Sequence, residues 1–208
     1  MQLDSHASNN PNNSDSHSKG RLVVISMLIF FLVPIVIVVM MYKFNWKPST
    51  GYSLGELITP ARLIDTPAQL KNSENQALTT DFWKDKWSIV YVADKCEQAC
   101  ENKLHDMRQI HVSLYKDMGR AQRVLITTMS DVTKYKEMYP ELVVINQPDV
   151  AVGRLNQQFN IDNETATRSD RIYLVDPLGH IMMSYPSTTR PANIRKDIGQ
   201  LLRYSWAG

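Results

Sequence analysis

The chain has 208 residues, a formal charge of +2 and two cysteines. That length fits one globular domain plus an anchor. The weak charge, spread without a basic stripe, excludes a nucleic-acid-binding reading, and two thiols are too few for a disulfide-dense scaffold.

Met1 to Lys19 is rich in Ser, Asn, Asp and His and almost without apolar residues. A disordered tail over 1–21 is expected, and His6 and His17 read as solvated there. Leu22 to Tyr42 is a nearly continuous apolar, uncharged run. A helix of that length reaches roughly 30 Å, the thickness of a bilayer core, and Pro34 is tolerated in such a helix. The run is longer than the ~7–15 residues of a signal peptide's apolar region. No small-residue cleavage site follows, so 22–42 reads as a retained single-pass anchor in a lipid bilayer. Lys19 and Arg21 on one side balance Lys43 and Lys47 on the other, so flanking charge gives no orientation.

Residues 43–60 read as a linker, with Trp46 and Tyr52 suited to the membrane interface. The domain proper is expected over 61–208. Ala61–Asp65 is a short strand, Leu78–Phe82 a short strand or a turn, and Trp87–Ala93 a strand apolar on both faces. Cys100, Leu104, Met107, His111, Leu114 and Met118 recur at steps of three and four, which predicts an amphipathic helix ended by Gly119. Strand Arg123–Thr128, helix Asp131–Tyr139, strand Leu142–Ile145 and a helix capped by Asp149 and running to Phe159 follow. Arg171–Val175, the turn Asp176-Pro177-Leu178-Gly179 and His180–Tyr185 form a hairpin. Pro191 opens a last helix with Ile194, Ile198, Leu201 and Leu202 on its apolar face. This order predicts an α/β domain, a central sheet with helices on both faces.

Cys96 and Cys100 lie at the corner between the best strand and the best helix. Two thiols at such a corner suit redox and soft-metal chemistry. If both residues were helical they would share a face, with Cα atoms at the long end of what a disulfide accepts; a looser first turn would bring them closer. The helix N-terminus and Lys95 favour a thiolate at Cys96, offset in part by Glu97. Cys96 is then the reactive thiol and Cys100 its resolving partner, and the pair are candidate Cu(I) ligands. The plainer alternative is a structural disulfide or two inert buried thiols. Among the histidines, His105 is the candidate third ligand, His111 reads as a packed core residue and His180 as exposed. Strand alternation should send Met182 and Met183 to opposite faces. Gly-rich phosphate loops, zinc-ligand spacings and nucleophile elbows are absent from the sequence.

These pieces resemble the thioredoxin superfamily and, more narrowly, its Sco/SenC branch. Leu78 to Ala93 is similar to that family's lead-in strand, Cys96-x-x-x-Cys100 has its three-residue spacer, and Tyr173-Leu174-Val175-Asp176-Pro177-Leu178-Gly179 is similar to its late hairpin. The resemblance spans 61–208 and implies a thioredoxin-like central sheet flanked by helices, beyond one N-terminal transmembrane helix. It implies a role in cytochrome c oxidase assembly, with an oxidase subunit or its assembly factors as partners. The chemistry would be thiol–disulfide exchange or transient handling of Cu(I), in an assembly factor or chaperone rather than a conventional enzyme. The setting would be the cytoplasmic membrane, with the C-terminal domain in the periplasm. By spacing, Arg168 stands where the family places a copper-ligating His, and the Pro that thioredoxins carry before this strand is also missing. The alternative is a non-catalytic, membrane-tethered interaction module with a structural disulfide.

Overall fold

The computed structural model describes residues 14–44 and 53–205. The chain divides into two units, Met1–Thr50 and Gly51–Gly208. The first contains helix α1 (Ser14–Lys43). Gly20–Lys43 is long and apolar enough to cross a membrane, and apolar side chains such as Leu22, Phe30 and Val38 are exposed along it. The helix starts at Ser14, before the apolar run, so the expected disordered tail becomes helical in its last part; the rest of that tail lies outside the described residues. Trp46 and Tyr52 also lie outside them.

The second unit is built on a seven-stranded sheet in the order β1-β7-β6-β3-β4-β5-β2. Strands β1 (Glu56–Leu63) and β2 (Lys71–Asn72) are its edges. Central strand β3 (Trp87–Val92) pairs parallel with β4 (Ala121–Ile126) and antiparallel with β6 (Ile172–Val175). Beyond them lie β5 (Leu142–Gln147), parallel to β4, and β7 (His180–Tyr185), antiparallel to β6. The helices are α2 (Gln98–Val112), α3 (Thr133–Met138), α4 (Asp149–Gln157) and α5 (Pro191–Tyr204).

The period-two pleat divides the core into two clusters. Ile89, Tyr91, Leu125 and Val144 join the side chains of α2 and α5, including Leu104, Met107, Ile194 and Ile198. Val90, Val92, Val124, Ile126 and Ile145 join α4 through Ala151, Val152 and Leu155. Helices therefore cover both faces, and all six residues of β3 are buried. Burying each large aliphatic side chain contributes about 1.5–3 kcal/mol, which makes this strand the anchor of the domain.

Three sequence expectations change, and one open alternative is decided. The linker expected over 43–60 ends earlier, because β1 begins at Glu56 and pairs with β7. Pro60 disguises this strand; β1 is an edge, where a sheet tolerates proline, and its register shifts between Leu57 and Arg62. The long helix ends at Val112 rather than at Gly119. Tyr115 takes a left-handed backbone (φ 51°) and starts a 3-10 turn, Tyr115–Arg120, which leaves Met118 exposed. Asp149 lies in the first turn of α4 and Pro148 holds the cap position. Leu78–Phe82 resolves as a turn, continuing into a 3-10 segment at Thr80–Trp83.

The chain arriving from residue 53 is fastened to α5. Asp197, 4% exposed, accepts hydrogen bonds on one carboxylate oxygen from the backbone N–H groups of Leu54 (2.8 Å) and Gly55 (3.2 Å) and from the Tyr185 hydroxyl (3.4 Å). Burial, with the Asp197 carboxylate beside it, pushes the Tyr185 phenol pKa up. Gly55 lies against the Tyr185 ring so closely that a Cβ there would fall 2.5 Å from it. Gly55→Ala is therefore expected to destabilise the domain by about 1–3 kcal/mol through overpacking. Gly119→Ala, where a Cβ meets open space, should leave stability within about 0.5 kcal/mol. Chemical denaturation of the two full-length variants in detergent compares them.

Candidate functional site: the Cys96–Cys100 corner

The site forms where β3 ends. The Ala93 N–H still donates to the Ile126 carbonyl at 3.0 Å, holding the strand's continuation against β4. Asp94 and Lys95 make an exposed bend. Cys96 precedes the helix, Glu97 occupies its cap position, and Cys100 lies in its first turn. This is the looser first turn, and it sets the two Cα atoms 4.9 Å apart, well inside the range a disulfide accepts. The two cysteines are disulfide-bonded.

The two sulfur-bearing residues differ in access. Cys100 is 3% exposed and belongs to the core cluster of α2 and α5, while Cys96 is only partly buried against it. An incoming thiolate therefore reaches Cys96 more readily. Cys96 immediately precedes the cap residue of α2, and the partial positive charge of a helix N-terminus favours a thiolate once the bond opens.

Helix α3 braces this corner from the side. The Tyr135 hydroxyl donates to the Cys96 carbonyl oxygen at 3.0 Å. Next to it, the Lys134 ammonium pairs with Glu101 in the first turn of α2. A second support comes from the segment before β6. The Tyr91 hydroxyl donates to the Asp170 carboxylate at 2.7 Å. Burial, then the bond to Asp170, pushes the Tyr91 pKa far up, so the phenol keeps its proton. Tyr91 pairs with Ile172 across β3 and β6, which sets Asp170, two residues before β6, beside the Tyr91 hydroxyl. Arg168 ends a short 3-10 turn in that segment and is exposed. Sequence reasoning missed Tyr135, Tyr91 and Asp170, because each contact joins residues dozens of positions apart.

The histidines separate by role. His105 is exposed on α2, with its ring nitrogen 2.7 Å from the Gln109 amide nitrogen. His111 is buried, as expected, and its Nε2 donates to the carbonyls of Met118 (3.1 Å) and Ala121 (2.9 Å). His180 is half-buried rather than exposed, because its Nδ1 lies 3.2 Å from the Asp176 carboxylate at the hairpin turn. Met182 and Met183 do not alternate as expected. The β6–β7 register shifts between Leu174 and Val175, which pair with Met183 and Ile181. Met182 is the extra residue of this bulge, and both methionines pack on the same core cluster. Among the described residues, no group of three or more His, Cys, Asp or Glu comes together to hold a metal.

Comparison with known proteins agrees with this geometry. The family described as transmembrane-like, thioredoxin-like, C-terminal domain matches residues 87–205. Similar solved structures include yeast Sco1 with copper bound (17% identity, TM-score 0.56), covering 76% of this chain and 96% of that one. A SCO1/SenC family lipoprotein from Bacillus anthracis (16%, 0.51) covers 69% and 98%. BsSco, described with a disulfide switch and as a member of the Sco family of cytochrome c oxidase assembly proteins (12%, 0.53), covers 72% and 99%. At these identities the likeness is one of fold: a thioredoxin fold of the Sco/SenC kind. Comparison with curated proteins gives no match by sequence.

Tyr135→Phe removes the bond to the Cys96 carbonyl while keeping the ring. The loss of one such bond is worth about 0.5–1.5 kcal/mol. Reduction of the disulfide by dithiothreitol should become faster, by up to about tenfold, and a thiol-trapping time course checks this.

Proposed function

The chain belongs to the transmembrane-like, thioredoxin-like C-terminal domain family, and on that footing we propose that it is a membrane-anchored assistant of cytochrome c oxidase assembly. It works by thiol–disulfide exchange on a dithiol of an oxidase subunit or of another assembly factor, with its domain in the periplasm. The observation that carries this reading is the Cys96–Cys100 disulfide at the start of α2, with one cysteine in the core and the other at its rim. Support for the partner comes from BsSco, which is described as a cytochrome c oxidase assembly protein with a disulfide switch. An oxidising compartment suits a chain whose two cysteines are joined.

In the direction that reduces the partner, the dithiol form acts. The Cys96 thiolate attacks one sulfur of the partner's disulfide, the partner's S–S bond breaks, and a mixed disulfide forms as one partner thiolate leaves. Cys100, having lost its proton, then attacks Cys96 Sγ. The Cys96–Cys100 bond forms, and the partner's second thiolate leaves. Two electrons have passed to the partner, whose two thiolates take up two protons. An external thiol reductant returns the pair to the dithiol. A partly exposed Cys96 and a buried Cys100 suit these roles of attacker and resolver.

Copper(I) enters as cargo. Yeast Sco1 is known with copper bound, and a reduced Cys96–Cys100 pair offers the sulfur donors that a soft ion prefers. His105, directed at Gln109, leaves the dithiol as the donor set in this reading, so any copper is held briefly and passed on.

Cys96→Ser and Cys100→Ser test the redox assignment. Both variants are expected to stay folded and to lower oxidase assembly and its copper content, and Cys100→Ser should accumulate a mixed disulfide with its partner. Unchanged assembly in folded variants would favour the non-catalytic interaction module instead. Titrating the reduced full-length chain with Cu(I) tests the cargo; a one-to-one complex lost in either variant supports it, and no stoichiometric complex removes it.

A further inference from the structure

We propose that the basic cleft between the 3-10 turn Tyr115–Arg120 and α5 is a docking site for anionic phospholipid headgroups. The cleft has a volume of about 630 Å³ and lies outside the disulfide site. Four cationic side chains line it: Lys116 from the turn, and Arg195, Lys196 and Arg203 from α5. Its one lining acid, Asp117, lies 3.4 Å from Arg120 and is neutralised there. Among the described residues, Lys116, Lys196 and Arg203 make no ion pair with the protein. The cleft therefore presents an uncompensated positive field open to solvent, which suits phosphate groups.

Two aromatic side chains also line the cleft. Tyr115 is 75% exposed and Tyr204 is 78% exposed. Tyr115 is held outwards by a left-handed backbone (φ 51°), a conformation that is unfavourable for a bulky residue and is often found at functional positions. Exposed tyrosines beside lysine and arginine suit the headgroup layer, where the ring meets apolar carbon and the hydroxyl meets water. A soluble anion would use the cations and leave the tyrosines idle.

The chain's own course favours lipid as the occupant. A smaller cavity shares Gln200 and Tyr204 with the cleft and is lined by Ser53 and Asp197. The chain thus joins the domain beside this face, where Asp197 holds Leu54 and Gly55. Phe44, at the end of the apolar segment, precedes Leu54 by ten residues in the sequence, a reach of at most roughly 36 Å. Ten residues of sequence therefore tether this face to a helix long and apolar enough to cross a bilayer.

The test uses the full-length chain in nanodiscs of phosphatidylcholine alone or mixed with phosphatidylglycerol, read by amide hydrogen exchange. Residues 113–120 and 195–204 should exchange at least about tenfold more slowly in the anionic bilayer, at about fivefold per basic side chain engaged. High salt should abolish the difference. The double variant Lys196→Glu/Arg203→Glu should also abolish it, with β3 amides unchanged as proof of folding. Should that variant unfold, Lys116→Gln alone is expected to cut the protection about fivefold. Equal exchange in the two bilayers overturns the proposal. So does equal protection from inorganic phosphate added to the neutral nanodiscs, which would make the cleft a soluble-phosphate site. Protection that appears only on adding an acidic protein overturns it as well.

Discussion

Strand β3 is buried on both faces and paired on both edges, and the cysteine corner inherits its position from that constraint. An amide in such a strand has no water to fall back on, so every backbone group must find a ladder partner. Tyr91 is the last residue with strand partners on both sides, Leu125 of parallel β4 and Ile172 of antiparallel β6, and Val92 keeps only its β4 partner. Past it the chain leaves the sheet at the carboxyl ends of the parallel strands, where open α/β sheets form their crevices. The disulfide thus sits on a rigid platform, and its helix has a fixed starting point.

Two lateral contacts refine that position. Helix α3 ties the Cys96 carbonyl through Tyr135, and the segment before β6 ties Tyr91 through Asp170. Both bonds meet groups held by the sheet or its adjoining loop rather than by α2. The corner can therefore change its sulfur chemistry while its flanks stay attached, an arrangement suited to a residue that must alternate between two bonded states.

Much of this was legible in the sequence where the signal was local. The apolar run of β3, the spacing of Leu104 and Met107 on α2, and the hairpin turn with Gly179 at φ 89° all declare themselves within a few residues. The cysteines' placement followed from their neighbours on either side. The failures were non-local. Glu56–Leu63 becomes a strand because β7 supplies partners, a fact that no propensity around Pro60 records. Met182 joins Met183 in one cluster because the register slips by a residue, which period-two reasoning cannot anticipate. His180 gains its partner from a turn whose Asp176 also receives the N–H groups of Leu178 and His180. Tyr135 and Asp170 carry no local mark of their role at the corner.

The shortness of the cysteine loop has a consequence for chain entropy. Cross-linking residues only four apart removes few conformations from the unfolded chain, worth about 2 kcal/mol by the loop-closure relation, against about 4.7 kcal/mol for a loop of a hundred residues. The two core clusters hold the domain together by burial on both faces of the sheet, with little help from the bridge. Opening the bond therefore leaves most of the folding free energy intact, and the domain can lose and regain it as a reversible change of state rather than as a step towards unfolding.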